Sequence, residues 1–354
     1  MHESRGLGDV YKRQAVLWHH APIWNTMENP ARILTRGFTG VDFFFVLSGY
    51  LITTLLLREA ATNGAFSLRA FYWRRLLRIV PVYFFVVTSV AVYFIGIKGE
   101  VGYLAQLPYY YLFLSNFLTS HVSLLAPTWS LSVEEQYYLI WPLLLMVLPQ
   151  RALLPTIAGL ILVNVAAVIG WLSPLGITAF EVGPLRFAMF NATYAPILIG
   201  SAAAILLQNA RSFGVFALVL GSRVACLGTF AVVILLLASL PEDLRGWPNL
   251  ALHIAMAAAL ISIVIREDNF LRPVLSWRPI ARIGEISYGI YLYHLIALHI
   301  AGIGLGMFGV VESNWPMLFL YSLISIVMAE ASFRTLESWF LSYKMAGWGQ
   351  LTRR

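Results

Sequence analysis

The stretch PTWSLSVEEQYYLIWPLLLMVLP, residues 127–149, sets two adjacent carboxylates, Glu134 and Glu135, at the head of an otherwise apolar run. A run of about 20 apolar residues is long enough to cross a bilayer as a helix. A charge near the hydrocarbon costs about 2.5–3.5 kcal/mol on insertion scales, so it is expected to have a partner and a task. The rest of the composition agrees with a membrane reading. Hydrophobic residues make up 59% of the chain and charged residues 12%, where soluble domains carry about 25% charged. Lys and Arg number 24 against 17 Asp and Glu. In a membrane chain that excess belongs to cytoplasmic loops, not to a nucleic-acid surface.

Runs of spanning length are expected near 15–26, 38–58, 77–97, 131–149, 152–172, 190–208, 224–240, 249–266, 282–308 and 316–336. The predicted fold is all-α, a polytopic membrane helix bundle of about ten transmembrane helices with the first one truncated. The truncation follows from the opening MHESRGLGDVYKRQ, which has no cleavable signal pattern and whose DVYKRQ is the translation of a transposon end used in sequencing libraries. Residues 1–14 are therefore read as a library or assembly remnant, 15–340 as the transmembrane domain and 341–354 as a cytoplasmic tail. The segment YLAQLPYYYLFLSNFL, 103–118, is short and interrupted by Pro108, so an interfacial or re-entrant piece is expected there.

Charge placement sets the orientation. With both termini in the cytoplasm, 16 basic residues fall in inner segments and 5 in outer ones, Arg32, Arg36, Lys98, Arg186 and Arg245; the other 3 lie in the presumed remnant. Short loops rich in Lys and Arg stay inside, which predicts a multi-pass protein of the plasma (inner) membrane. The lone cysteine, Cys226, allows no intramolecular disulfide and no cysteine metal cluster, and no metal is expected.

In this topology three helices bring ionisable groups to a similar level beneath the outer surface. His19 and His20 lie toward the outer end of the first helix, Asp42 near the start of the second, and Glu134 and Glu135 at the start of the fourth. Such convergence is expected of a polar site inside a helix bundle. Simpler roles exist for each. Ser132 and Glu135 have the spacing of a capping box, which would leave Glu134 as the functional carboxylate. Asp42 could serve as a helix N-terminal charge. Adjacent side chains on a helix point about 100° apart, so only one of His19 and His20 is expected to face the interior. His294 lies deep in the ninth run, and His299 reads as incidental. On the inner side, Arg75 and Arg78 are three apart and share a helical face. Two guanidinium groups so placed can bind an anion, phosphate above all, although basic residues flanking a span usually anchor topology.

Five stretches carry a resemblance to a known family: AVLWHHA (15–21), GFTGVDFFFVLSGYLIT (37–53), RRLLRIVPVY (74–83), PTWSLSVEEQYYLIWPLL (127–144) and ISYGIYLYH (286–294). In order and spacing the chain resembles the acyltransferase 3 family of membrane-bound O-acyltransferases, which modify surface glycans. It departs from the family at the amino terminus, where GDVYKRQ replaces an arginine-containing stretch. The resemblance implies a catalytic histidine at His19, with His20 the alternative, and an essential glutamate at Glu134. It implies paired arginines for the donor at Arg75 and Arg78, and recurring positions of unsettled role at Ser130, Tyr138, Tyr288 and His294. The implied donor is acyl-CoA, commonly acetyl-CoA, and the acceptor a glycan or lipid-linked sugar.

The expected chemistry is transfer of an acyl group from cytoplasmic acyl-coenzyme A to a hydroxyl at the outer face. A histidine would be the general base, tuned by Glu134 or Asp42. The alternative class is a proton-coupled secondary transporter, which would also use intramembrane Asp, Glu and His. Against it, the chain shows no internal repeat with paired broken helices. On the enzyme reading, His19→Ala should abolish acyl transfer with expression intact, and His20→Ala should be milder. Activity assays showing the reverse order would put His20 toward the bundle interior instead.

Overall fold

Proline, glycine and hydroxyl side chains decide where the apolar runs become helices. The computed structural model describes residues 32–172, 174, 179–188, 194–241, 244–307, 309 and 315–343. The first expected helix, His19, His20 and the tail beyond 343 lie outside these. The helices are α1 (Thr39–Asn63), α2 (Leu68–Ala91, prolonged by a π-helical turn Val92–Ile97), α3 (Thr128–Val147) and α4 (Gln150–Val168). After a hairpin come α5 (Ala195–Gln208), α6 (Ala210–Leu220), α7 (Ala225–Ser239) and α8 (Trp247–Ile265). Last are α9 (Ser287–Gly306) and α10 (Trp315–Ser332), which continues through a π-helical turn Phe333–Glu337 to Ser342.

Six of these helices are long and apolar enough to cross a membrane: α1, prolonged α2, α4, α8, α9 and prolonged α10. The protein is a polytopic helical membrane protein. A seventh span is available if α5 and α6, bent by 105° at Asn209, count as one. The expectation of about ten was read from apolar runs, and three of those runs fold differently. The 190–208 run ends at the bend, α7 is only 15 residues long, and α3 carries Ser130, Ser132, Glu134, Glu135 and Gln136 in its first half. The 103–118 stretch forms short helical turns and no helix of spanning length. Pro108 opens one such turn and Phe113, at φ 54°, ends it.

The all-α expectation needs one amendment. Strands β1 (Ala179–Val182) and β2 (Leu185–Ala188) pair antiparallel, with Val182 opposite Leu185. Gly183, at φ 59°, takes the first central position of the two-residue turn and Pro184 the second. Glycine at that position favours a type II′ hairpin.

The chain divides into two compact units. Among the described residues, the first holds 32–64 together with Val133–Glu285. Here α1 packs on α5 at a contact of backbone on backbone. A Cβ added to Gly49 would strike the Ile197 carbonyl, and one added to Gly200 would strike the Val46 carbonyl. Without a hydrophobic driving force between helices in lipid, small residues that let backbones touch supply much of the packing. Beside the contact, Trp141 Nε1 donates to Thr53 Oγ1 (2.8 Å), and the Tyr137 and Ser201 hydroxyls lie 2.6 Å apart. These bonds tie α1, α3 and α5.

Charged residues close both ends of α7 in this unit. Arg36, 4% exposed, donates to the carbonyls of Leu237 (2.8 Å), Leu240 (2.9 Å) and Pro241, capping the carboxyl end of α7. One basic residue assigned to the outer side is thus occupied by carbonyl oxygens. At the other end, Arg223 ahead of α7 and Arg266 after α8 both pair with Asp268, at 2.8 Å. The Arg266 guanidinium, and then that of Arg223, hold the Asp268 carboxyl down to about 2. These pairs therefore persist across the neutral and mildly acidic range and are lost only as pH falls toward that value.

The second unit holds Ala65–Ser132 and the residues from Ile286 onward. Gly289 of α9 faces Ala329 of α10, where an added Cβ would come within 3.0 Å of the Ala329 Cβ. Tyr293 donates to Ser332 (3.1 Å) across the same pair. Tyr83 of α2 donates to the Tyr110 carbonyl (2.9 Å) and stacks on Phe113 at 4.3 Å.

Gly49→Ala and Gly200→Ala should each lower the melting temperature in detergent by several degrees, since overpacking costs about 1–3 kcal/mol. Gly159→Ala, on an exposed face of α4 with nothing within 4 Å, should change it little. Equal melting curves for all three would remove the α1–α5 contact as the source of stability.

Candidate active site

Glu134 is the seventh residue of α3 and only 3% exposed. A buried carboxylate is tolerated where donors replace its water. Ser48 of α1 donates its hydroxyl to Glu134 Oε1, and Tyr138, one turn along α3, donates to the same oxygen at 2.5 Å. The two hydroxyls lie 3.0 Å apart, so the three side chains form a closed triangle. Glu134 and Tyr138 meet because they are four apart on one helix. Ser48 reaches them because its neighbour Gly49 lets α1 seat against α5. Oε1 is the acceptor of both bonds, so both hydroxyl protons point at it.

The capping-box reading is corrected. α3 starts at Thr128, so Ser132 and Glu135 lie inside the helix. Thr128 Oγ1 bonds the Leu125 carbonyl (2.7 Å) and Ser130 Oγ the Pro127 carbonyl (3.1 Å), bonds that close the first turn earlier than the apolar run suggests. The Ser132 hydroxyl lies 2.8 Å from that of Ser115. Glu135 is half-buried.

Asp42 sits in the first turn of α1, as a helix N-terminal charge would. Its Oδ2 also lies 3.5 Å from Nε2 of His253 on α8. His253, 1% exposed, is a residue that sequence reasoning passed over, although a histidine inside the 249–266 apolar run was a visible signal. Ser48 was likewise missed, because a serine in a spanning helix is unremarkable until its partner is known.

In the second unit, Ser130 Oγ lies 2.6 Å from the Tyr291 hydroxyl. His294 is fully buried, its ring 5.7 Å from that of Tyr291. His294 Nδ1 lies 2.6 Å from the Tyr291 carbonyl. A carbonyl only accepts, so Nδ1 carries a proton. Tyr288 donates to the Ile79 carbonyl (3.0 Å), which fixes α9 to α2 beside the arginines. Arg75 and Arg78 lie within α2, not ahead of it; the Arg75 guanidinium is 5.9 Å from the Phe71 ring and Arg78 is exposed. The structure thus brings Glu134 together with Tyr138, and Ser130 into a cluster with His294. It pairs Asp42 with His253, and His19 and His20 lie outside the described residues. Among the described residues no group of three or more His, Cys, Asp or Glu could hold a metal ion.

A family model described as an acyltransferase domain matches residues 14–329. The peptidoglycan O-acetyltransferase OatA of Listeria monocytogenes is 28% identical over 326 residues, covering 85% of this chain and 51% of that protein. The O-acetyltransferase OatA of Staphylococcus aureus is 26% identical over 333 residues, covering 87% of this chain and 53% of the other. The chain spans about half the length of the curated relatives it matches. No solved structure matches it.

The triangle separates the two glutamates. Glu134→Gln keeps an oxygen that accepts from both hydroxyls but removes the ionisable group. It should cost about 10²–10⁴ in turnover with a nearly unchanged melting curve. Glu135→Gln should leave turnover within about threefold on the same scale. Equal losses in both variants would deny Glu134 its special part.

Proposed function

The chain belongs to the acyltransferase 3 family, whose domain covers residues 14–329, and from that membership we propose that it is a membrane O-acyltransferase. It moves an acyl group, commonly acetyl, from acyl-coenzyme A at the cytoplasmic face to a hydroxyl of a glycan or lipid-linked sugar at the outer face. The observation that carries this reading is the buried Glu134 carboxylate closed by Ser48 and Tyr138, an ionisable group held in a spanning bundle by dedicated donors. The relatives support it through their names, O-acetyltransferase in both cases and peptidoglycan as the object of one.

In the proposed reaction the imidazole of His19, or of His20, takes the proton of the sugar hydroxyl as its oxygen attacks the thioester carbonyl. Glu134 or Asp42 orients that imidazole and stabilises its charged form, as the third member of a catalytic triad does. The carbon–sulfur bond breaks, the proton passes to the leaving thiolate, and the products are the sugar ester and coenzyme A thiol. Arg75 and Arg78 bind the donor's phosphates, a task for which planar guanidinium groups suit two-point contact. Ser130, Tyr138, Tyr288 and His294 serve the substrates. About ten spans with both termini in the cytoplasm of the plasma (inner) membrane complete the proposal.

If the arginines hold the donor, Arg78→Ala should raise KM for acyl-coenzyme A by about tenfold, equivalent to about 1.4 kcal/mol. Arg78→Lys should rescue only part of it, since lysine keeps the charge but loses the fork. In oriented vesicles acyl-coenzyme A should be consumed only from the cytoplasmic face. Consumption from the outer face alone would overturn the orientation, and an Arg78→Ala enzyme with unaltered donor kinetics would return these residues to anchoring.

A further inference from the structure

His253 lines a second feature of the first unit. Between the carboxyl end of α4 and the amino-terminal ends of α5 and α8 lies a small pocket bounded by Asn164, Val168, Ala195, Gly246, Asn249 and His253, with room for about one water molecule. Asn249 and His253 are four apart on α8 and share its face. His253 is 1% exposed, and among the described residues neither of its ring nitrogens has a hydrogen-bond partner. Asn249 Oδ1 is also buried without one. Unpaired buried polar atoms are costly in any fold, and in native proteins they mark a ligand or catalytic role often enough to require an explanation.

The chemistry of the lining restricts the guest. Asn249 Oδ1 only accepts, so the guest must donate a proton, which excludes carbonyl groups and unprotonated anions. The imidazole either donates or accepts, according to its protonation. Among the described residues no Asp, Glu, Lys or Arg lines the pocket, and Val165, Val168 and Leu250 would strip water from a charged guest without compensation. A sugar ring exceeds the space. What fits is a single O–H group, either a water or one hydroxyl projecting from a larger molecule.

We infer that Asn249 and His253 form a subsite for one hydroxyl of the acceptor, with Asp42 positioning the imidazole from 3.5 Å on Nε2. Nδ1 is then the ring nitrogen left to meet the hydroxyl. The starts of α1 and α8 meet through this pair, and the topology proposed above puts both on the outer side, where the acceptor arrives. The identity of the guest as a sugar hydroxyl rests on the acyl-transfer reading. The polar pocket itself does not.

The test is a deoxy-sugar scan on the full chain purified in detergent. Methyl glucoside, methyl N-acetylglucosaminide and their singly deoxygenated analogues would be titrated by thermal shift, and acyl transfer to the same compounds measured. The wild type should bind one deoxy analogue at least about tenfold more weakly than its parent. In Asn249→Leu, and in the smaller change Asn249→Ser, that ratio should fall toward one, with KM for acyl-coenzyme A unchanged. His253→Gln should weaken the ratio too. Equal binding of every analogue by the wild type, or no binding of any, would mean that the pocket holds water alone and would overturn the inference. So would a ratio that survives in both Asn249 variants. A wild type that discriminates among analogues yet transfers no acyl group to any would sink the acyltransferase reading and leave the subsite standing.

Discussion

Gly49 and Gly200 let the backbones of α1 and α5 touch, and the first unit is arranged around that contact. Once α1 is seated, its other faces are committed. Ser48, the next residue, meets Glu134 of α3; Asp42, about two turns earlier, meets His253 of α8; and Arg36, just ahead of the helix, caps α7. A side chain on either glycine would displace α1 as a whole, because what it would strike is backbone and not a flexible side chain. The polar groups of the candidate site therefore inherit their positions from a packing constraint that contains no polar side chain.

The opposite physical demand comes from the polar groups themselves. Away from water, each hydroxyl, carboxylate and imidazole must find a partner within the protein. Much of the chain meets this demand with side chains on neighbouring helices: Glu134 with Ser48 and Tyr138, Tyr137 with Ser201, and Trp141 with Thr53 in the first unit. In the second, Ser130 pairs with Tyr291 and Tyr293 with Ser332. Tyrosine recurs because it brings an apolar ring and one polar tip to a helix interface. Satisfied networks of this kind lock helices in register, and among the described residues His253 and Asn249 are two side chains whose buried polar atoms lack a hydrogen-bond partner.

Family membership and geometry bear on different questions. The match over residues 14–329 says what kind of protein this is. It does not say which polar residues are structural and which are reserved for chemistry. The structure shows what each of these side chains touches. Tyr288 is engaged by a backbone carbonyl and fixes α9 to α2, whereas Glu134 collects two hydroxyls on one oxygen and Asp42 faces an imidazole across 3.5 Å.

The sequence by itself determined that this is a helical membrane protein, because apolar runs of about 20 residues and a low charged fraction leave few other folds. It also marked Glu134, Asp42 and the arginine pair, since a charge within or beside an apolar run is conspicuous without coordinates. Local pattern then misled at α3. The spacing of Ser132 and Glu135 fits a capping box, but hydroxyls at Thr128 and Ser130 close the helix earlier, and only the actual helix start could show it. The helix Ala210–Leu220 beyond the bend at Asn209 and the hairpin at Gly183 lie between the expected runs, where hydropathy marks no span. Only the tertiary structure could name Ser48 as a partner of Glu134 and His253 as a partner of Asp42. These pairs are separated by 86 and 211 residues, and what brings them within reach is which helix faces pack together, a property of the assembled bundle and not of any one helix.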